Sequence, residues 1–360
     1  MKNRFCHSFL ASAVQFAMRS TVLFASLSTV RFTARSATRL TVRSAMRFTV
    51  RSAMRFTTWS ATRLTVRFAM WFAVLFTVLF TAATGAQAAE KRDSLKVLAI
   101  GNSFSVCLTS YFPDVVKSAG CEILFDHLTI GGCTLERHWN NIAKEEADPT
   151  FKYFKEFTYK EKLQSQPWDI VSIQQSSPLG WKEESFFPHV QYLTDFVKQN
   201  APTAEVVLQQ TWAYRPDEPR LAKWNLTQET MYQKLISSYT NVGKKMHLRV
   251  IPVGMGIQRA RENQPQGCPP FQRSDFKYPD LPKMDGFLCG NIHWNKEHTA
   301  LEGDAYHLNA RGKYLQACVW FAYLYGQPTE KITFVPKELT PEDAKYLRQA
   351  AQEAVDVWKF

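Results

Sequence analysis

The sequence predicts an α/β domain built on a parallel sheet that helices cover on both faces. Five short apolar runs recur along its last 272 residues, segments of helical period separate them, and Gly or Pro closes several of both. Alternation of this kind is what crossover connections produce, and strands buried on both faces read as continuous apolar runs.

Residues 95–100 are the first strand, ending on Gly101, and residues 104–119 have helical spacing up to Gly120. A second strand spans 121–130 and is closed by Gly131 and Gly132. A long polar, aromatic-rich segment, 135–166, follows. The third strand covers 168–174; a helix over 186–200 follows, with Pro202 just beyond it. Residues 205–211 and 247–253 are the fourth and fifth strands, with a helix over 228–245 between them. Residues 257–300 are rich in Pro and Gly and predict a surface insertion. The last long helix runs over 308–325 and stops at Gly326. In the tail, Thr340, Pro341 and Asp343 form a helix start, and Leu347, Ala351, Ala354 and Trp358 share one face. Ligands of such sheets lie beyond the carboxyl ends of the strands, so chemistry is expected there.

Residues 1–88 stand apart. They hold twelve of the 44 Lys and Arg and no acid, which leaves 32 basic residues against 32 acidic ones in the remainder. The formal charge of +12 therefore belongs to the leader, and the domain lacks the basic field that a nucleic-acid partner requires. Four copies of an eight-residue unit, at 35–42, 43–50, 51–58 and 59–66, are too short and too poor in turn residues to stack as a solenoid. They read as translated tandem repeat ahead of the true start, with Met54 a start that leaves Arg55, Arg63 and Arg67 as a basic n-region. Residues 71–83 are dense in Phe, Leu and Val and precede Ala86-Gln87-Ala88, the pattern of a secretory signal and too short to cross a bilayer. The expectation is an exported protein, periplasmic or secreted, that meets a membrane only through a transient signal peptide. Its parts are a removed leader, 1–88, a functional domain, 89–330, and a helical tail, 331–360, that packs back on it. Of the six cysteines after the leader, Cys268 and Cys289 are the candidate bridge; the others sit in apolar elements as buried thiols.

Three elements carry chemistry. Ser103 follows the first strand in Ile100-Gly101-Asn102-Ser103-Phe104-Ser105, where Gly101 allows a sharp turn and a helix N-terminus favours developing negative charge. A helix-capping serine explains it equally well in isolation. In Asp304-Ala305-Tyr306-His307, residues three apart in a helical turn are neighbours, so the carboxylate can orient the imidazole. Gly132, after the second strand, allows a backbone N–H to approach a substrate oxygen closely, although a plain turn needs a glycine as well.

In this order the three elements resemble the SGNH, or GDSL-like, hydrolase superfamily, and more narrowly its bacterial DUF4886 group. The resembling stretches are 98–105, 130–139, 168–176, 210–214 and 304–312. The resemblance implies a three-layer α/β/α sandwich with a central sheet of about five parallel strands. It also implies Ser103 as nucleophile, His307 as base and Asp304 as its orienter, with the N–H groups of Ser103 and Gly132 as the oxyanion hole. The superfamily's G-x-N-D block is missing, for the third strand runs into Gln174-Gln175-Ser176-Ser177. A Gln amide is able to donate in place of the Asn, and Gln175 is the expected substitute. An α/β-hydrolase elbow, G-x-S-x-G, does not fit, because residue 105 is Ser.

Trp139, Trp181, Trp212 and Tyr214 form either a sugar-stacking wall or ordinary core. His293 and His298 near Cys289 match no common metal spacing, so neither metal nor cofactor is expected. Asn225-Leu226-Thr227 matches a glycosylation sequon. The expected activity is hydrolysis of a small acyl ester, acetyl on carbohydrate, with an acetylated glycan as partner. A lipid ester or thioester hydrolase with the same site, and a carbohydrate-binding protein that has lost catalysis, remain the alternatives.

Overall fold

The computed structural model describes residues 92–264 and 271–358; the leader, the repeats, the signal-like run and Cys268 lie outside them. Five parallel strands form one sheet in the order β2-β1-β3-β4-β5: β1 is Ser94–Gly101, β2 Glu122–Thr129, β3 Ile170–Ile173, β4 Glu205–Gln209 and β5 Arg249–Ile251. The chain lays β2 on one side of β1 and β3 on the other. The strand order therefore reverses between β1 and β3, which opens a crevice at their carboxyl ends. Ser103 follows β1 into that crevice.

Helices connect the strands: α1 (Ser103–Val106) and α2 (Phe112–Ser118) after β1, α3 (Leu135–Ala147) and α4 (Tyr159–Gln164) after β2, and α5 (His189–Asn200) after β3. After β4 come α6 (Pro219–Lys223) and α7 (Gln228–Met246), and after β5 come α8 (Val253–Asn263), α9 (Ala310–Tyr325) and α10 (Pro341–Val357). Helices α8, α9 and α10 pack on one another and α2 packs on α9; α3 and α4 pack on α5, which lies against β3 and β4, with α7 against β5. The sheet is thus flanked by helices, as an α/β sandwich requires. Every residue of β3 is buried, whereas the edge strand β2 is half exposed and carries Glu122, Asp126 and His127.

Local sequence placed most elements within a residue or two, and tertiary packing explains the differences. The helix expected over 104–119 is broken: α1 is a single turn, a 3-10 turn follows at Cys107–Ser110, and α2 begins where Pro113 is tolerated in a first turn. The segment 135–166 holds two helices, each capped by a threonine, Thr134 and Thr158, that accepts the backbone N–H three residues on. The insertion starts later than 257, because α8 runs to Asn263 with Ile257 and Ala260 buried. Beyond it the only regular structure among the described residues up to 302 is a short antiparallel ribbon, His293–Trp294 with Leu301–Glu302, and one 3-10 turn. Helix α10 starts as its sequence dictates: Thr340 Oγ1 accepts Asp343 N, and Leu347, Ala351 and Ala354 are buried.

Candidate active site

Asn102, not Ser103, caps α1: its Oδ1 accepts the N–H of Phe104 at 3.0 Å. The Ser103 hydroxyl is therefore left for other work. Gly101 is needed for space, since a Cβ there would lie 2.4 Å from Ser105 Oγ. Behind the turn is a network of buried amides. Gln174 Nε2 donates to Asn102 Oδ1 at 2.9 Å, Ser105 Oγ donates to Gln174 Oε1 at 2.7 Å, and Gln209 Nε2 and Gln316 Nε2 extend the chain. Buried polar networks of this kind fix a backbone when their members are satisfied.

Asp304 and His307 arrive on the segment before α9. The turn between them is not helical. Asp304 Oδ1 accepts the backbone N–H of Tyr306 at 2.8 Å and of His307 at 2.9 Å, so the carboxylate folds the chain around itself. Its other oxygen takes His307 Nδ1 at 2.6 Å, and His307 Nε2 stands 2.8 Å from Ser103 Oγ. An ionised carboxylate only accepts, so Nδ1 carries the proton and Nε2 is free to accept from the serine. Burial pushes the Asp304 carboxyl up, but the two backbone N–H groups and the His307 ring outweigh it and hold it below the ordinary carboxylate range. Two chain segments 204 residues apart thus meet in one hydrogen-bonded chain of Ser103, His307 and Asp304.

A staple holds this segment in place. Gly290 N donates to His307 O at 2.7 Å, and Asn291 Oδ1 accepts Asp304 N at 3.1 Å. Gly290 has φ +72°, and a Cβ there would overlap the Asp304 carbonyl, so no other residue fits. Beneath lies a buried cluster: Asp217 accepts both Arg215 and Arg273, Arg215 Nη1 donates to Cys289 O, and Arg273 Nη2 reaches Gly303 O at 3.2 Å. Burial raises the Asp217 carboxyl, yet the two guanidinium groups hold it low. Cys289 is a free buried thiol whose sulfur accepts Arg261 Nη2 at 3.2 Å; its candidate partner Cys268 lies outside the described residues.

Gly132 is exposed at φ +63°. Its loop is tied to the turn that carries Ser103, because Asn102 Nδ2 donates to Cys133 O at 3.0 Å. Neither the Ser103 N–H nor the Gly132 N–H has a hydrogen-bond partner among the described residues. Both remain available to an oxyanion. Because α1 is one turn long, these N–H groups rather than a helix dipole are what the site offers.

Gln175 does not join them. It is 1% exposed; its Nε2 donates to Ser185 O at 2.8 Å, and its Oε1 accepts Leu135 N and Ser176 N. The amide expected to replace the missing Asn is thus spent on holding two loops together. The aromatic wall is also revised. Trp212 is fully buried, stacked on Phe104 at 4.0 Å, with Nε1 donating to Tyr306 O at 2.8 Å. Tyr214 is fully buried and paired with Ser177, Trp181 leans on Trp224, and half-buried Trp139 packs on Tyr192. Phe104 meets the His307 ring edge-on at 5.7 Å, so Trp212 and Phe104 form the floor of the site. His298 stacks on Tyr278. Sequence reasoning passed over Tyr306, whose ring lies 4.4 Å from that of His307, and Arg220, which lies over Tyr306. Tyr306 stands inside the Asp304–His307 motif, which was its only signal.

A family model described as "Domain of unknown function (DUF4886)" matches residues 96–279. No curated protein matches the sequence. Among solved structures, the chain is similar to a DUF4886 family protein from Bacteroides uniformis ATCC 8492, at 24% identity and a TM-score of 0.58, over 74% of this chain and 96% of that one. At that identity the likeness is one of fold. More distant are a candidate SGNH hydrolase from Slackia heliotrinireducens (19% identity, TM-score 0.39, 63% and 96% covered) and a member of the lipolytic G-D-S-L family from Veillonella parvula DSM 2008 (10%, 0.36, 63% and 96%).

Proposed function

This chain belongs to the DUF4886 family, and on that premise we propose that it is an exported serine ester hydrolase that removes small acyl groups, acetyl foremost, from carbohydrate. The observation that carries the reading is the unbroken relay from Ser103 Oγ through His307 to Asp304. His307 Nε2 takes the serine proton as Oγ attacks the ester carbonyl carbon. Asp304 stabilises the imidazolium that results. The oxyanion turns towards the N–H groups of Ser103 and Gly132. His307 then returns the proton to the leaving alcohol, and water, activated by the same imidazole, releases the acyl group.

With Gln175 engaged elsewhere, the oxyanion has no side-chain donor from the third strand. A lost donor costs about 3–4 kcal/mol in the barrier, so turnover is expected to be slow. The same observation favours the second reading, a carbohydrate-binding protein without catalysis. Acetate release from acetylated polysaccharides separates the two. Wild type should release it, Ser103→Ala should not, and Asp304→Asn should lower kcat on the order of 10^4-fold. Equal release by wild type and Ser103→Ala would remove the serine from the mechanism. No release, together with no labelling of Ser103 by a fluorophosphonate, would leave binding as the function.

The acetyl preference rests on the family resemblance, the carbohydrate on export and the balanced charge after residue 88, and export on the signal-like run and the Ala86-Gln87-Ala88 site. No helix among the described residues is long and apolar enough to cross a membrane.

A further inference from the structure

Tyr306 stands between the base and a cation. Its ring lies 4.4 Å from the His307 ring, and the Arg220 guanidinium carbon lies 4.1 Å from its centroid. Arg220 also packs over Tyr214 at 4.7 Å and Trp224 at 5.9 Å, so three aromatic rings fix its plane. Its Nε donates to Glu218 Oε1 at 2.7 Å, and its own backbone N–H reaches the same oxygen at 3.3 Å. Nη1 and Nη2 have no partner among the described residues, and the side chain keeps 31% of its surface in solvent. The other ion-paired arginines among the described residues spend their forks: Arg311 puts Nε and Nη2 on Asp343, Arg249 puts the same pair on Glu205, Arg215 does so on Asp217, and Arg273 divides them between Asp217 and Gly303 O.

We propose that Arg220 is an anion subsite that takes a carboxylate on the substrate, so that esters of acidic sugars such as acetylated hexuronates are favoured over neutral ones. This rests on the esterase reading above and names its substrate class. A guanidinium presents two parallel N–H groups that match the two oxygens of a carboxylate, and a point charge cannot copy that match. Aromatic packing on the fork removes most of the entropy that a free arginine would lose on binding. Glu218 already balances the charge, so the subsite acts at hydrogen-bond range and does not steer ligands from a distance. Glu218 occupies the Nε side, which leaves the Nη edge for the substrate carboxylate.

The test uses a matched pair: an O-acetylated hexuronate oligosaccharide and the same oligosaccharide with each carboxylate converted to its neutral carboxamide. Binding of both to the Ser103→Ala protein is measured by calorimetry, with and without Arg220→Gln or Arg220→Lys, after circular dichroism has established that each variant is folded. The acid form should bind at least tenfold tighter than the amide. Arg220→Gln should bring the ratio close to one, and Arg220→Lys, which keeps the charge but loses the fork, should recover only part of it. An acid-to-amide ratio that is the same with and without Arg220, or close to one from the start, would overturn the subsite. Acetate release by the Ser103 protein is followed on both ligands in parallel. Ser103-dependent release from both forms alongside an unchanged ratio sinks the subsite alone, and a ratio that depends on Arg220 without any release sinks the esterase reading alone.

Discussion

His138 shows how one side chain can set the position of a residue, Ser103, that it never touches. It lies on α3 with no exposure; its Nε2 donates to the Gly101 carbonyl at 2.8 Å, and its Nδ1 accepts from the Tyr159 hydroxyl at 2.7 Å. It thus clamps the end of β1 two residues before Ser103. Burial pushes its pKa down to about 4, from the 6.5 of a free imidazole. Between those two values the unfolded chain holds a proton that the native one does not. The stabilising contribution is therefore complete above pH 6.5 and is lost as the pH falls towards 4, by roughly 3 kcal/mol. Urea unfolding of wild type and His138→Gln at pH 7.5 and pH 4.5 should show the wild type losing that much more than the variant over the interval. Parallel losses in the two proteins would mean that His138 is not the group that titrates. Reading 135–166 only as a polar segment passes over a signal that was there, since Leu135, His138 and Ile142 share the spacing of one helix face. The partners of His138 were not legible, because they come from other elements.

At the scale of elements, the segment leaving β4 and the segment entering α9 support each other. Trp212 stacks on Phe104 from α1 and donates to the Tyr306 carbonyl, so one indole joins the helix that starts at Ser103 to the turn that carries His307. Aromatic composition announced these residues, but composition does not tell which side of a strand end faces inward. Trp212→Ala should cost about 3–5 kcal/mol of stability in a denaturant titration, together with a fall in kcat as His307 loses its floor. A substrate-stacking role would instead raise KM and leave the midpoint unchanged. The same limit applies to Asp304 and His307: their spacing announced a pair, yet the turn that brings them together is made by two backbone N–H groups bonded to the carboxylate, not by helical geometry.

At the scale of the whole molecule, α10 closes the layer formed by α8 and α9. Arg311, near the start of α9, places Nε and Nη2 on the two oxygens of Asp343, each at 2.7 Å, and both side chains are largely buried. Asp343→Ala leaves that guanidinium unpaired at a helix interface, and a loss of about 3 kcal/mol in thermal or denaturant unfolding is expected, with Arg311→Met/Asp343→Leu recovering much of it. Recovery identifies the pair as a cost of burial; no loss at all would mean that water already reaches it. The amino-acid sequence by itself determined the alternation of strands and helices, the strand-end position of Ser103, the pairing of Asp304 with His307 and the start of α10, since all of these follow from apolar period, capping chemistry and short spacings along the chain. Only the tertiary structure decided that Ser103 meets His307, that Gln175 is spent on Ser185, that Trp212 and Tyr214 lie inside, and that Arg220 comes to rest over Tyr306. Each of those depends on which way a side chain points once distant segments have packed, and direction in space is set by burial and hydrogen bonding between elements that no local pattern contains.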